Sequence, residues 1–507
     1  MRTSGILMPV FSLPGKYGIG TFGKEACHFI DFLEKAGQSY WQLLPLNPTH
    51  FGDSPYQSFS SAAGNPYFID LEILTREGLL EEKDYADVDF GSEPGQVDYE
   101  KLYQNRLPVL RKAFLRFQPG EDYARFCREQ ADWLEDYALF MAIKDAHGGV
   151  SWREWEEPVR RRQPAALEAF RQQHARALDF YRFIQYLFFR QWEALKAYAH
   201  THGIRIIGDM PIYVADDSAD VWAHPRQFDL DEELLPRVVA GCPPDAFTEE
   251  GQLWGMPVYD WDYMKREPIP YSWWRQRMRR ALETYDVVRI DHFRGFASYY
   301  CIPYGATNAK KGVWRQGPGK DLFQVLERDW GAPMPIIAED LGFLTPQVHQ
   351  LLEDTGFPGM KVLQFAFDPQ ADSDYLPHHY TPHCVVYTGT HDNDTVMGWT
   401  HTASPEEVAY ARRYLHVDDR EGFNWAMIRA AMMSVADTAV FQMQDFMGLG
   451  SEARINTPST LGGGNWQWRI GDGCINDWLA QIIRENTALY GRLPRLDEKT
   501  AEESETD

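Results

Sequence analysis

Cysteine is present but never paired at the spacing that metal or redox sites use. Cys27, Cys127, Cys242, Cys301, Cys384 and Cys474 are scattered, with no C-x-x-C among them. The cysteines therefore indicate neither a zinc site nor a disulfide framework and read as six reduced thiols. Positive charge is scarce as well: 50 Lys and Arg face 74 Asp and Glu, a formal charge of -24. A surface of that sign repels phosphate backbones and anionic headgroups at long range, so nucleic acid and membrane are not expected partners. Long apolar runs are missing from the start of the chain, where the stretch after Gly5 is interrupted by Pro9. It is too short for a signal peptide or a membrane span, and the expected location is cytoplasmic.

Aromatic residues, in contrast, are plentiful, with 17 Trp, 26 Tyr and 29 Phe in 507 residues. Most are expected in the core, but Trp254, Trp314 and Trp466 lie in polar, Gly- and Pro-rich stretches where a ring can serve as a stacking platform. Eight short apolar runs read as strands: Gly5–Val10, Tyr40–Leu46, Ile204–Gly208, Asp286–Asp291, Pro335–Glu339, Met360–Phe365, His383–Thr388 and Thr438–Gln442. Most are separated by helical patterns, among them Lys24–Ala36, Asp179–His200, Tyr271–Thr284, Lys320–Arg328, Thr345–Asp354 and Glu421–Ala436. Eight alternating units predict an α/β fold of the (β/α)8 barrel type. The loop Ser12–Gly23, dense in glycine, is read as tightly turning backbone, and the reading finds no G-x-G-x-x-G phosphate turn after the first strand, which favours a barrel over an open doubly wound sheet. Residues 1–490 are expected to form one barrel with mainly helical insertions at about 47–179 and 221–270, the first carrying helices at Tyr123–Ala146 and Pro164–Ala177. The charged tail, residues 497–507, is expected to be disordered.

Active sites of such barrels lie at the C-terminal strand ends, so each strand is read at its last residue. The third gives Asp209. The fourth, D-V-V-R-I-D-H-F-R-G from Asp286 to Gly295, gives Arg289, Asp291 and His292, with Arg289 and Asp291 on one strand face and His292 on the other. The fifth gives Glu339 and Asp340, and the seventh runs into Thr390-His391-Asp392-Asn393-Asp394. Arg289 and Asp291 alone could be a structural ion pair, but carboxylates converging on one mouth repel each other and point to a site. Three chemistries use such a cluster: a divalent-metal centre, glycoside cleavage by a nucleophilic and a protonated carboxyl group, and a lectin-like sugar pocket. A cation beside Asp291 competes with a metal and favours the glycoside reading. The apolar run Pro335–Ala338 is expected to desolvate Glu339 and raise its pKa, as a general acid requires.

Specific motifs then carry a resemblance. They are S-P-Y-Q at Ser54–Gln57, G-D-M-P-I-Y-V at Gly208–Val214, P-P-D-A-F at Pro243–Phe247, G-Q-L-W-G at Gly251–Gly255, R-I-D-H-F-R-G at Arg289–Gly295, A-E-D-L-G at Ala338–Gly342 and G-T-H-D-N-D-T at Gly389–Thr395. R-I-N-T-P at Arg454–Pro458 and G-N-W-Q-W-R at Gly464–Arg469 add two more. Together they resemble the amylomaltases, or disproportionating enzymes, of glycoside hydrolase family 77 in the α-amylase clan. Ser459 departs from the glycine common at that point. The resemblance implies transfer of α-1,4-glucan segments to the 4-hydroxyl of an acceptor, without metal or other cofactor. Its partners would be maltooligosaccharides and other α-1,4-glucans. It implies Asp291 as nucleophile, Glu339 as acid/base and Asp392 as transition-state stabiliser. Arg289 would orient Asp291; Tyr56, Asp209, His292 and His391 would meet the −1 glucose; and a covering loop, Val239–Trp254, would bring Gln252 and Trp254 to the +1 side.

Overall fold

The structure is a computed structural model that describes residues 2–244, 249–342, 344–418 and 420–494. Twelve strands are described: β1 (Thr3–Leu7), β2 (Tyr40–Gln42), β3 (Arg205–Pro211), β4 (Val238–Cys242), β5 (Gln252–Pro257), β6 (Val287–Asp291), β7 (Ser298–Pro303), β8 (Val313–Gln316), β9 (Ile336–Ala338), β10 (Gly359–Val362), β11 (Cys384–Tyr387) and β12 (Thr438–Gln442). Eight pair in the order β10-β11-β12-β1-β2-β3-β6-β9, all parallel. These are the eight expected from apolar runs; β12 has the expected bounds, and the other seven are displaced, lengthened or shortened by one to a few residues. The remaining seam, between β9 and β10, is closed by two hydrogen bonds. The Ala338 N–H donates to Pro358 O at 3.0 Å, and the Met360 N–H donates to Asp340 Oδ1 at 2.6 Å. A Cβ on Gly359 would sit 2.4 Å from Asp340 Oδ2, so glycine is what lets this carboxylate stand in for a strand partner.

Alternating exposure explains why these segments are strands. In β6, Val288 and Ile290 are fully buried on the helix-facing side while Arg289 is buried toward the barrel axis. Its Nε lies 3.4 Å from Met360 Sδ on β10, two strands away around the barrel. Tyr387 on β11 likewise donates its hydroxyl to Gln42 Oε1 on β2 at 2.8 Å, so polar side chains bond one another inside the upper barrel.

Between β2 and β3 lies the largest excursion from the barrel, mostly helical. It ends in a 27-residue helix, Ala175–Thr201, about 40 Å long at 1.5 Å per residue. The expected helix Tyr123–Ala146 is two, Glu121–Glu129 and Ala131–Ala146, because Gln130 leaves helical geometry (φ -102°, ψ 5°). The second departure is larger. The covering loop expected over Val239–Trp254 is built from β4 and β5, which join β7 and β8 in an antiparallel sheet of order β5-β4-β7-β8. Asp245 to Phe247 of the P-P-D-A-F motif, and the charged tail at 497–507, lie outside the described residues.

The expectation that no G-x-G-x-x-G follows the first strand is corrected by Gly18–Gly23, which spells that pattern of a phosphate-binding turn. The structure fills that position with a side chain. Asp70 Oδ2 accepts the Thr21 hydroxyl at 2.7 Å, and a Cβ on Gly23 would sit 2.0 Å from the same oxygen. A carboxylate already occupies the N-terminus of helix Lys24–Lys35, where an anionic ligand would bind. Cys27, Cys127, Cys301, Cys384 and Cys474 are free thiols, and among the described residues no helix is long and apolar enough to cross a membrane.

Candidate active site

The register of β3 against β6 builds the floor of the site. Asp209 is the direct partner of Arg289, and Pro211 of Asp291. Gly208 permits this, since a Cβ there would penetrate the Tyr285 ring at 2.1 Å. Arg289 Nη1 donates to Asp209 Oδ1 at 2.8 Å and Oδ2 at 2.7 Å, and to Asp291 Oδ1 at 3.1 Å. The Asp209 side chain is completely buried, whereas that of Asp291 is 29% exposed. One carboxylate is thus held beneath the guanidinium and the other reaches the cleft.

Beyond Asp291 the chain does not continue as a strand. His292 takes a left-handed conformation (φ 54°, ψ 46°) and starts the short turn Phe293–Phe296. The reading that set His292 on the opposite strand face is corrected by this turn, which aims its main-chain N–H at Glu339. That N–H donates to Glu339 Oε2 at 2.7 Å, and the Leu341 N–H donates to Oε1 at 2.8 Å. Left-handed backbone in a non-glycine residue costs on the order of 1–2 kcal/mol and is retained where function benefits. The His292 ring packs edge-on against Trp254 with centroids 4.9 Å apart. Burial, with a smaller push from Arg294, drives its pKa down to about 3, so the imidazole is neutral.

Glu339 is pushed up to about 7, first by burial and then by the charge of Asp291, with Arg289 and the two N–H bonds opposing. Asp291 is raised less, to about 6, also first by burial, with Arg289 pulling it back and Asp209 adding to the rise. Burial raises both carboxyl groups, and the two titrate as a pair. The upward direction for Glu339 is the one its apolar strand predicts.

The third carboxylate stands on the loop after β11. Asn456 Nδ2 donates to Asp392 Oδ1 at 2.6 Å, and His391 Nε2 lies 3.3 Å from the same oxygen. Arg454 holds the Asp392 carbonyl at 2.7 Å. Tyr56 links this side to the floor: its hydroxyl donates to Asp209 Oδ2 at 2.7 Å and lies 3.3 Å from His391 Nδ1, while the two rings stack at 4.9 Å. Trp466 is 5% exposed and backs both rings, so it supports the site instead of offering an open face. Trp254 donates its indole N–H to Gln252 Oε1 at 3.1 Å on the same strand, β5. Trp314 on β8 is 45% exposed with the Arg294 guanidinium over its ring at 4.2 Å.

Seven sequence-derived residues, Tyr56, Asp209, Arg289, Asp291, His292, Glu339 and His391, are joined by direct bonds, contacts or charge coupling. Asp392 connects to them through His391, and Trp254 and Gln252 through His292. Asp340 and Asp394, also at strand ends, are not in the cleft. Asp340 closes the barrel seam, and Asp394 accepts Ser451 Oγ at 2.6 Å and the Thr395 N–H at 2.8 Å. Asn456 was not singled out by sequence, although it lies in the R-I-N-T-P motif; a neutral amide carries no signal until Asp392, 64 positions away, is placed beside it.

Known proteins are similar to this chain in sequence and fold. The glycoside hydrolase family 77 model, described as 4-alpha-glucanotransferase, matches residues 8–473. A 4-alpha-glucanotransferase of Clostridium butyricum is 49% identical over 489 residues, 96% of this chain and 100% of its own length. Another, from Thermus thermophilus, is 50% identical over 482 residues, covering 92% of this chain and 95% of that protein. Among solved structures, the amylomaltase from Streptococcus agalactiae in complex with acarbose superposes with a TM-score of 0.94 at 42% identity, covering 97% of this chain and 100% of that one. The chain belongs to the 4-alpha-glucanotransferases of glycoside hydrolase family 77.

Proposed function

We propose that this 4-alpha-glucanotransferase, which acts on α-1,4-glucans, works by two displacements at one anomeric carbon. Asp291 is the nucleophile, Glu339 the acid/base and Asp392 the group that stabilises the transition state through sugar hydroxyls. The observation that carries the assignment is geometric: Arg289 donates directly to Asp291 Oδ1 at 3.1 Å and favours its ionised form, while burial and the charge of Asp291 push Glu339 up toward the protonated form a general acid needs.

In the first step Asp291 attacks the anomeric carbon as its bond to the bridging oxygen breaks, and the Glu339 proton passes to that oxygen. Among the described residues only Oδ1 of Asp291 is hydrogen-bonded, to Arg289, which leaves Oδ2 for attack. In the second, ionised Glu339 takes the proton of an acceptor 4-hydroxyl, whose oxygen displaces Asp291 and restores the α configuration. Preference for sugar over water requires that the intermediate be shielded until an acceptor docks. The β4–β5 strands with Gln252 and Trp254 beside His292 suit that role on the +1 side.

In this reading Tyr56, His292 and His391 meet the −1 glucose, supported by their links to Asp209, Glu339 and Asp392. Asp209, sealed under Arg289, acts as a positioning residue. Maltooligosaccharides are the proposed donors and acceptors, the cytoplasm the proposed location, and residues 1–490 one catalytic unit with insertions at about 47–179 and 221–270. Incubation with pure maltotriose tests the reaction. Transfer yields glucose and longer oligosaccharides with little rise in reducing ends; a steady rise would mean hydrolysis, and no change would mean a glucan-binding protein.

A further inference from the structure

The segment between β10 and β11 carries a cluster that the glucan chemistry does not use. Asp372, His378 and His379 are exposed, and one ligand atom from each lies within 4.8 Å of the others. Hydrogen bonding fixes one of the rings. His379 Nδ1 lies 3.1 Å from Ser373 O, and a carbonyl only accepts, so Nδ1 carries the proton. In the neutral ring Nε2 then presents a lone pair, and it faces Asp372 Oδ1 at 3.4 Å. Two acceptors facing each other repel unless a cation lies between them or the ring takes a second proton. His378 Nδ1 is likewise engaged, 2.8 Å from the Tyr414 hydroxyl, which leaves its other nitrogen open.

We infer that Asp372, His378 and His379 form a surface site for a divalent transition metal such as Zn²⁺, clamping this segment onto the helix that carries Tyr414. Two ligands at Zn²⁺ bond lengths of about 2.0–2.1 Å stand about 3.3 Å apart on a tetrahedral edge, close to the spacing seen between His379 and Asp372. The Ser373 carbonyl and Tyr414 hydroxyl are the kind of outer contacts that orient metal-bound imidazoles. Two imidazoles and one carboxylate suit Zn²⁺ or Co²⁺ better than Mg²⁺ or Ca²⁺, which favour oxygen. The site closes Tyr414, on helix Pro405–Leu415, against the β10–β11 segment, and is separate from the catalytic carboxylates.

The test is calorimetric titration of the untagged, chelator-treated full chain with Zn²⁺, and Co²⁺ absorption as an optical readout of nitrogen ligation. One saturable site per chain is expected, weakened at least about tenfold in His379→Ala and in Asp372→Asn, and unchanged in His28→Ala, which removes an exposed histidine near Glu25. Zn²⁺ should also raise the melting temperature of the parent chain but not of His379→Ala. Absence of a saturable site would overturn the inference and leave a doubly protonated His379 as the answer to the facing acceptors. Binding that both variants retain would overturn it too, by placing the metal elsewhere.

Discussion

Arg289 reaches Asp209 at 2.7 and 2.8 Å, closer than the 3.1 Å at which it reaches Asp291. Its charge is shared, so Asp209 limits how strongly Arg289 favours the ionised form of Asp291. Replacing Asp209 by Asn should therefore free the guanidinium for Asp291 and move the acidic limb of the kcat/KM profile to lower pH. The same change leaves a buried arginine with less compensation and should cost on the order of 3 kcal/mol in stability. Replacing Arg289 by Met should move the acidic limb the other way. Both are read from pH–rate profiles alongside denaturant unfolding.

Asp291→Asn should abolish turnover yet stabilise the fold above neutral pH. The folded-state pKa of Asp291 is raised, so the parent protein is not penalised below about pH 4 and loses stability as pH climbs toward about 6. The Asn variant does not titrate. Its advantage should appear across that window and level off above it at on the order of 1–2 kcal/mol, discounted for the partial exposure of the carboxylate. Melting curves from pH 4 to 8 for the two proteins provide the check.

Asn456→Ala removes the 2.6 Å donor that holds Asp392. Loss of one bond to a charged group is worth about 1.5–3 kcal/mol, so kcat/KM should fall on the order of ten- to a hundredfold with melting temperature little changed. Asn456→Asp, which sets two acids side by side, should be worse than the alanine variant. Steady-state kinetics with maltotriose separate the three proteins.

Ser459 has φ 63° and is exposed, a left-handed conformation that glycine adopts without steric cost. Ser459→Gly should raise stability by about 0.5–1 kcal/mol, since relief of the left-handed strain outweighs the added freedom of the unfolded chain. Unfolding in urea with an unchanged m-value would confirm it.

Chelators should leave glucan transfer intact. The cation that serves the carboxylates is Arg289, and a metal would compete with it for Asp209 and Asp291. Activity after treatment with a strong chelator is the measurement.

The barrel was legible because its eight strands are short, β-branched runs punctuated by turns, and the acids at their ends stood out against apolar sequence. The β4-β5-β7-β8 sheet was not. Val238–Cys242 and Gln252–Pro257 contain Gly and Pro and pair with a shift in register, while the next partner, β7, begins more than fifty residues after β4. Neither alternation nor a tight-turn signal survives that arrangement. The left-handed turn at His292 was hidden for a related reason. Only the need to aim a main-chain N–H at Glu339 explains it, and that contact is visible in three dimensions alone. Asp340 and Asp394 show the converse: residues of the expected type at the expected strand ends, taken up by the barrel seam and by Ser451.

The central claim is that Asp291 becomes covalently glycosylated. Glu339→Gln, incubated with a donor whose leaving group needs no proton, such as an α-maltosyl fluoride, should accumulate the intermediate because its breakdown lacks a base. Peptide mass spectrometry after rapid acid quench should then find the added sugar mass on the peptide bearing Asp291. The same mass on the peptide bearing Asp392, or donor consumption with no labelled peptide, would contradict the account.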